Sequence, residues 1–179
     1  MPDFEFRPVD RTRWPDLEKL FESRGGPHNC WCVLWRKVPS KLKEQGKTGK
    51  KKVLKAQVDE GLPIGLLAYD QHEPVAWCSV APRETYRTLG GDETLERVWS
   101  LVCFFISREY RQSGLTKQLI LASIEHAKKH GAQYLEAFPV APDSPSYKFM
   151  GLVPVFEELG FEVIKKVGSR RNLAMLDLR

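Results

Sequence analysis

The segment Arg111-Gln112-Ser113-Gly114-Leu115-Thr116-Lys117 sets one glycine between two cations, where an apolar run ends and a helical repeat begins. Val98 to Ile106 is too rich in β-branched and aromatic residues for a comfortable helix and reads as a buried strand. Leu115, Leu119, Ile120, Ile124 and Ala127 then recur with helical spacing up to Gly131, placed as a C-cap after Lys128, Lys129 and His130. Tyr134 to Val140 reads as the next strand. The first amides of such a helix lack internal partners and, with the helix dipole, favour an anion. Gly114 permits close approach of the backbone, and Arg111 and Lys117 add positive charge. The chemistry this points to is a cradle for a phosphate or pyrophosphate; the alternative is an ordinary strand-to-helix turn. The segment is neither a P-loop nor the three-glycine dinucleotide fingerprint.

A second unusual cluster is His28-Asn29-Cys30-Trp31-Cys32. Its Cys-x-Cys spacing differs from the usual Cys-x-x-Cys and no fourth ligand is evident, so no metal is expected. Cys30 near His28 leaves open a nucleophilic thiol. Cys78 and Cys103 fall inside apolar strands and read as core residues.

These residues must be carried by one folded unit. A chain of 179 residues, 42 % hydrophobic, has the size of a single domain spanning residues 1–179. No apolar run approaches the roughly 18 residues of a membrane span. Met-Pro-Asp-Phe-Glu-Phe does not read as a signal peptide, so a cytoplasmic location with free thiols is the expectation. The net charge of +5 draws on Lys41, Lys43, Lys47, Lys50, Lys51, Lys52 and Lys55. That run lacks interleaved aromatics and leads into a helical pattern, so a solvated helix face is preferred to a nucleic-acid surface.

Phe4 to Val9 reads as a first strand, followed by a helix capped by Asp10 or Thr12 with Trp14, Leu17, Leu20 and Phe21 on its core face. A second helix is expected over about Thr48 to Glu60, and a hairpin over Ile64 to Tyr69 and Pro74 to Val80. Arg83 to Gly91 is polar and loop-like. Ser144-Pro145-Ser146 opens a helix ending at Gly160, and Phe161 to Lys166 and Leu173 to Leu178 form two final strands. The order predicts an α/β (α+β) fold, a mixed, mostly antiparallel sheet of about six to seven strands with helices on both faces.

At the Arg111 to Thr116 loop the chain resembles the GNAT superfamily of acetyl-CoA-dependent N-acetyltransferases, whose loop runs Arg/Gln-x-x-Gly-x-Gly/Ala. Thr116 departs from the commonest form. Phe156-Glu157-Glu158-Leu159-Gly160-Phe161 matches the family's downstream element, and the resemblance runs from about Phe4 to Leu178. Cys30 to Arg36 and Glu136 to Pro139 are similar to segments of an uncharacterised bacterial-type subgroup. The resemblance implies acetyl-CoA as cosubstrate. Its pantetheine would lie along backbone groups of Phe104, Phe105 and Ile106, and its pyrophosphate on Arg111, Gln112, Ser113, Gly114, Leu115, Thr116 and Lys117. It implies direct transfer to a primary amine, with His28, Trp31 and Trp35 in a wall of the acceptor site, where the two indoles would stack on a ring or contact a cationic amine; the alternative is that they anchor the loop to the core. Glu136 and Glu96 are the candidate bases; for each the alternative is a structural or surface carboxylate. Many members carry a Tyr acid where this chain has Phe156, which cannot donate a proton. That leaves a non-catalytic acyl-CoA-binding or regulatory domain as the alternative function. A homodimer through sheet edges or terminal strands is compatible with the resemblance.

Overall fold

In a computed structural model, described over residues 3–179, β1 (Phe4–Pro8) leads into α1 (Trp14–Glu22), the short α2 (Ser40–Lys43) and α3 (Gly46–Asp59). The hairpin β2 (Leu66–Asp70) and β3 (Glu73–Pro82) follows, then β4 (Val98–Ile106), α4 (Leu115–Lys129) and β5 (Tyr134–Ala137). The chain ends in α5 (Val153–Glu158), β6 (Glu162–Val167) and β7 (Arg171–Asp177). The strands form one seven-stranded sheet in the order β1-β2-β3-β4-β5-β7-β6. Only β4 and β5 pair in parallel; every other neighbour is antiparallel. This is the mixed sheet expected from the order of elements.

Helices cover both faces because each carries one apolar stripe. Trp14, Leu17, Leu20 and Phe21 of α1 and Val53, Leu54 and Val58 of α3 bury against one face with Trp77, Cys103 and Phe138. Leu115, Leu119, Ile120, Ile124 and Ala127 of α4 and Phe156 of α5 bury against the other with Phe104 and Leu135. Each fully buried Leu or Phe contributes about 1.5–3 kcal/mol.

The sheet opens at its centre. Parallel pairing runs only from Val98–Tyr134 to Leu101–Ala137, while β4 continues to Ile106. β5 stops short of Val140, where the sequence pattern had placed its end, because Pro139 has no N–H to continue a ladder. Val140 turns instead to Leu152 and Arg171. Beyond Leu101 the β5-facing edge of β4 is therefore left without a strand partner.

Two other boundaries differ from expectation. The helix predicted from Ser144 to Gly160 forms only over α5, preceded by a single 3₁₀ turn at Lys148–Met150. Tyr147 at φ +62° and Gly151 at φ +89° interrupt it, and Gly151 is confined, since a Cβ there would lie 2.6 Å from the Phe156 ring. Neither Asp10 nor Thr12 caps α1 by a side chain. The N-cap is Arg13, while Asp10 accepts the Thr12 and Arg13 amides in a turn ahead of the helix.

Candidate functional site

The loop that ends β4 is tied down at three points. Tyr110 donates to Asp70 at 2.7 Å, Arg111 Nε to the Ile106 carbonyl at 3.0 Å, and Ser113 to the Tyr110 carbonyl at 2.6 Å. Gln112 and Gly114 both take positive φ, +62° and +78°. Gly114 is the N-cap of α4 and supplies no side-chain cap. The first helical bond of α4 is donated by Gln118, to the Gly114 carbonyl. Consequently the six main-chain N–H groups from Gln112 to Lys117 have no protein acceptor among the described residues. A Cβ on Gly114 would project into open space rather than into protein. Successive unpaired amides at a helix start form an anion-binding concavity. The pyrophosphate group of a nucleotide cosubstrate fits these donors.

The charges around the loop are partly committed. Arg111 uses Nε to hold the strand end, and Lys117 pairs with Glu158 of α5 at 3.0 Å. The cradle therefore rests on the main chain, which suits the tolerance for Thr116.

The free edge of β4 lies directly upstream. Ser107 N–H bonds Val75 O on the β3 side, and by antiparallel alternation Phe105 and Cys103 also turn their main-chain groups to β3. Of the three residues expected to hold a pantetheine arm, Phe104 and Ile106 thus present theirs to the open side. Phe105 does not, and the Ile106 carbonyl is already engaged by Arg111.

Glu136 is 1 % exposed and fully engaged. Arg83 Nε donates to Oε1 at 3.0 Å and Arg83 Nη2 to Oε2 at 2.5 Å, while Ser100 Oγ donates to Oε1 at 2.6 Å. Gly91 packs so closely on this pair that a Cβ would fall 2.2 Å from Oε2. Both carboxylate oxygens are held by one guanidinium, and the geometry favours the ion-pair alternative for Glu136. Glu96 is exposed and precedes β4. A bend at Arg97, φ +52°, separates it from the start of β4 at Val98, at the opposite end of the parallel pairing from the point where β4 and β5 part.

The aromatic segment behaves differently from a wall open to an acceptor. Trp31 is 2 % exposed, stacked on Trp14 at 5.8 Å and packed on Phe21 at 5.1 Å. It anchors the segment to the core. His28 lies in a surface recess with Glu22, Lys47 and Lys51, between α1 and α3. Trp35 is the member near the open end of β5, and its ring already carries the guanidiniums of Arg171 at 4.6 Å and Arg87 at 5.3 Å. A cationic amine would meet two cations there, which removes the expected amine contact.

Cys30 is exposed, but its thiol is pushed up by a hydrogen bond with Cys32 and by burial, the opposite of nucleophile activation. Cys32 in turn approaches Cys103 at 3.1 Å. Among the described residues no three His, Cys, Asp or Glu side chains converge as for a metal. No helix among them is long and apolar enough to cross a membrane. Of the lysine run, Lys51 pairs with Glu18 and Glu22 and Lys55 with Asp59, while Lys50 and Lys52 donate to the Asn29 carbonyl and the Gln45 side chain.

Three arginines with places in this region, Arg83, Arg87 and Arg171, are not singled out by the sequence. Arg83 and Arg87 lie in a polar loop and Arg171 at the start of the last strand, where an arginine is unremarkable. A usable signal was the apolar pair Tyr86 and Leu89 inside the Arg83 to Gly91 loop, both buried, which shows that this loop is anchored rather than free.

The acetyltransferase (GNAT) family model matches residues 13–161, and the chain belongs to that family. No curated protein has a matching sequence. Among solved structures, YncA of Salmonella typhimurium with its cofactor acetyl-CoA shares 14 % identity over 98 % of this chain and 94 % of its own, at a TM-score of 0.59. PaiA N-acetyltransferase of Thermoplasma acidophilum in complex with coenzyme A shares 14 % identity over 98 % and 99 %, at 0.60. Ribosomal-protein-alanine N-acetyltransferase of Brucella melitensis shares 17 % identity over 96 % of each chain, at 0.56. At such identities the likeness is one of fold.

Proposed function

We propose that the chain transfers the acetyl group of acetyl-CoA directly to a primary amine. The observation that carries this reading is the run of unpaired amides from Gln112 to Lys117, adjoining the unpartnered edge of β4. The amides bind the pyrophosphate, and the Phe104 and Ile106 main chain guides the pantetheine toward the point where β4 and β5 part. In the transfer, the amine nitrogen forms a bond to the thioester carbonyl carbon and the carbon–sulfur bond breaks. The nitrogen loses one proton, and the departing thiolate takes up one, through solvent.

Positioning, rather than a dedicated acid, supplies the catalysis in this account. Phe156 is fully buried against Phe161 at 5.0 Å and has no proton to give. Glu136 holds Arg83 and shapes the cavity beside it. Thiol release from acetyl-CoA across a panel of amines tests the reading, with Gly114→Asp as the control that places a carboxylate against the pyrophosphate.

The second reading is a non-catalytic CoA-binding domain. It is favoured by the same Phe156 and by the engaged carboxylate of Glu136. Tight CoA binding with no thiol release from any amine distinguishes it.

A further inference from the structure

Two arginines beside the opening of the sheet have no counter-ion among the described residues. Arg171, the first residue of β7, is half-buried, with its guanidinium 4.6 Å from the Trp35 ring centroid and 5.7 Å from that of Phe138. Its side-chain hydrogen bond is a long one, to the Leu89 carbonyl at 3.5 Å. Arg87 lies over the same indole at 5.3 Å, and its own amide holds the Trp35 carbonyl at 2.8 Å. Neither guanidinium forms an ion pair with any carboxylate among the described residues. Burial lowers the Arg171 pKa, the neighbouring Tyr147 opposes that, and the like charge of Arg87 adds to the lowering.

Two like charges face the same indole, and one of them is partly removed from water, its burial offset by cation–π contact with Trp35 and Phe138 rather than by a counter-ion. A second, independent observation lies at the same place. Trp35 is 8 % exposed, and its Nε1 donor is buried with no partner. Buried donors are normally satisfied; Arg36 Nε, Trp77 Nε1 and His126 Nε2 are also without a partner, and Trp35 Nε1 differs from them in belonging to an indole that two guanidiniums without a carboxylate partner contact. Planar guanidinium groups match carboxylate and phosphate oxygens with paired N–H donors.

The location gives the site its meaning. Phe138, beneath Arg171, directly follows β5 at the point where β5 leaves β4. Arg87 also lines a cavity of about 250 Å³, where Lys37, Arg83 and Arg87 face Glu84, Glu93 and Glu136; Arg171 and Trp35 do not line it but contact its wall at Leu89 and Arg87. We propose that Arg87, Arg171 and Trp35 form a subsite for an oxyanion, so that the acceptor amine also carries a carboxylate or phosphate. The inference rests on the acetyl-CoA reading above and adds the substrate class to it. The acceptor is amino-acid-like or a phosphorylated amine rather than a polyamine. The guanidiniums hold the anion, and the amine end reaches toward the opening of the sheet.

The test uses the full chain saturated with coenzyme A or acetyl-CoA and compares matched pairs. L-Alanine is set against ethylamine, γ-aminobutyrate against propylamine, and O-phosphoethanolamine against ethanolamine, with spermidine as a polycation. Binding is followed by calorimetry and turnover by thiol release. The expected result is that anionic members bind or react about tenfold or more better than their partners. Alanine against phosphoethanolamine tells carboxylate from phosphate. Arg87→Gln and Arg171→Lys should erase that preference, chiefly through KM for the acceptor, and leave the KM for acetyl-CoA unchanged. Arg87 is exposed, so its variant keeps the fold even if the Arg171 variant does not. If CoA binds but no anionic member binds or reacts, or if the uncharged or cationic partners do as well, the inference is overturned and the acetyl-CoA reading stands. If CoA does not bind, both fall together.

Discussion

Arg83 and Glu136 are joined by two hydrogen bonds, Nε to Oε1 at 3.0 Å and Nη2 to Oε2 at 2.5 Å. This pair bridges the end of β3 and the middle of β5, across the intervening β4. It commits the one carboxylate inside β5 to an ion pair.

Removing Glu136 should therefore be read first in stability. Glu136→Ala leaves a largely buried guanidinium without its anion, and a loss of about 3 kcal/mol is expected. Denaturant unfolding checks it. The double variant Arg83→Met/Glu136→Leu should recover much of the loss, because no unpaired charge remains. A single-variant loss near zero would contradict the pairing.

Thr116→Ala should leave CoA affinity within about twofold, since a main-chain amide, not the hydroxyl, faces the anion. Titration of the variant with coenzyme A measures this. A large loss would show that the Thr116 hydroxyl takes part in binding.

Phe156→Tyr should not create a working acid. The ring is fully buried and abuts Gly151 and Phe104. A hydroxyl there must be buried without an evident partner, at a cost of about 1–3 kcal/mol. The expected outcome is a lower Tm with no gain in rate. A faster enzyme at unchanged Tm would mean that the position opens onto the thioester.

Stability should fall with acid through His126. Burial, then the like charges of His130 and Lys129, push its pKa down to about 4 from 6.5. Between those values the unfolded chain binds the proton and the folded chain does not, so folding stability declines as pH drops from 6.5 toward 4. Unfolding midpoints measured from pH 7 to pH 4 should slope downward in the wild type and less steeply in His126→Leu.

How far the sequence speaks for itself differs from element to element. The strand, loop and helix around Gly114 were legible because period, glycine and caps all agree locally. Trp31 and Trp35 were not separable in advance. Both are aromatic residues in one irregular segment, and only tertiary packing sends Trp31 into the core and Trp35 beneath two arginines. The opening of the sheet is prefigured by Pro139, yet its partners across Val140 come from residues 151–153 and 171, which no local pattern links. Arg171 gains its surroundings in the same way, through a strand that returns between β5 and β6.

The central claim is that the amides opening α4 hold the pyrophosphate of acetyl-CoA. Calorimetric titration of the wild type and of Gly114→Asp with acetyl-CoA tests it most directly. Aspartate tolerates the left-handed backbone at this position better than most residues, so the fold should survive. The account predicts roughly micromolar binding by the wild type and none detectable by the variant. No binding by the wild type, or equal binding by both, would contradict it.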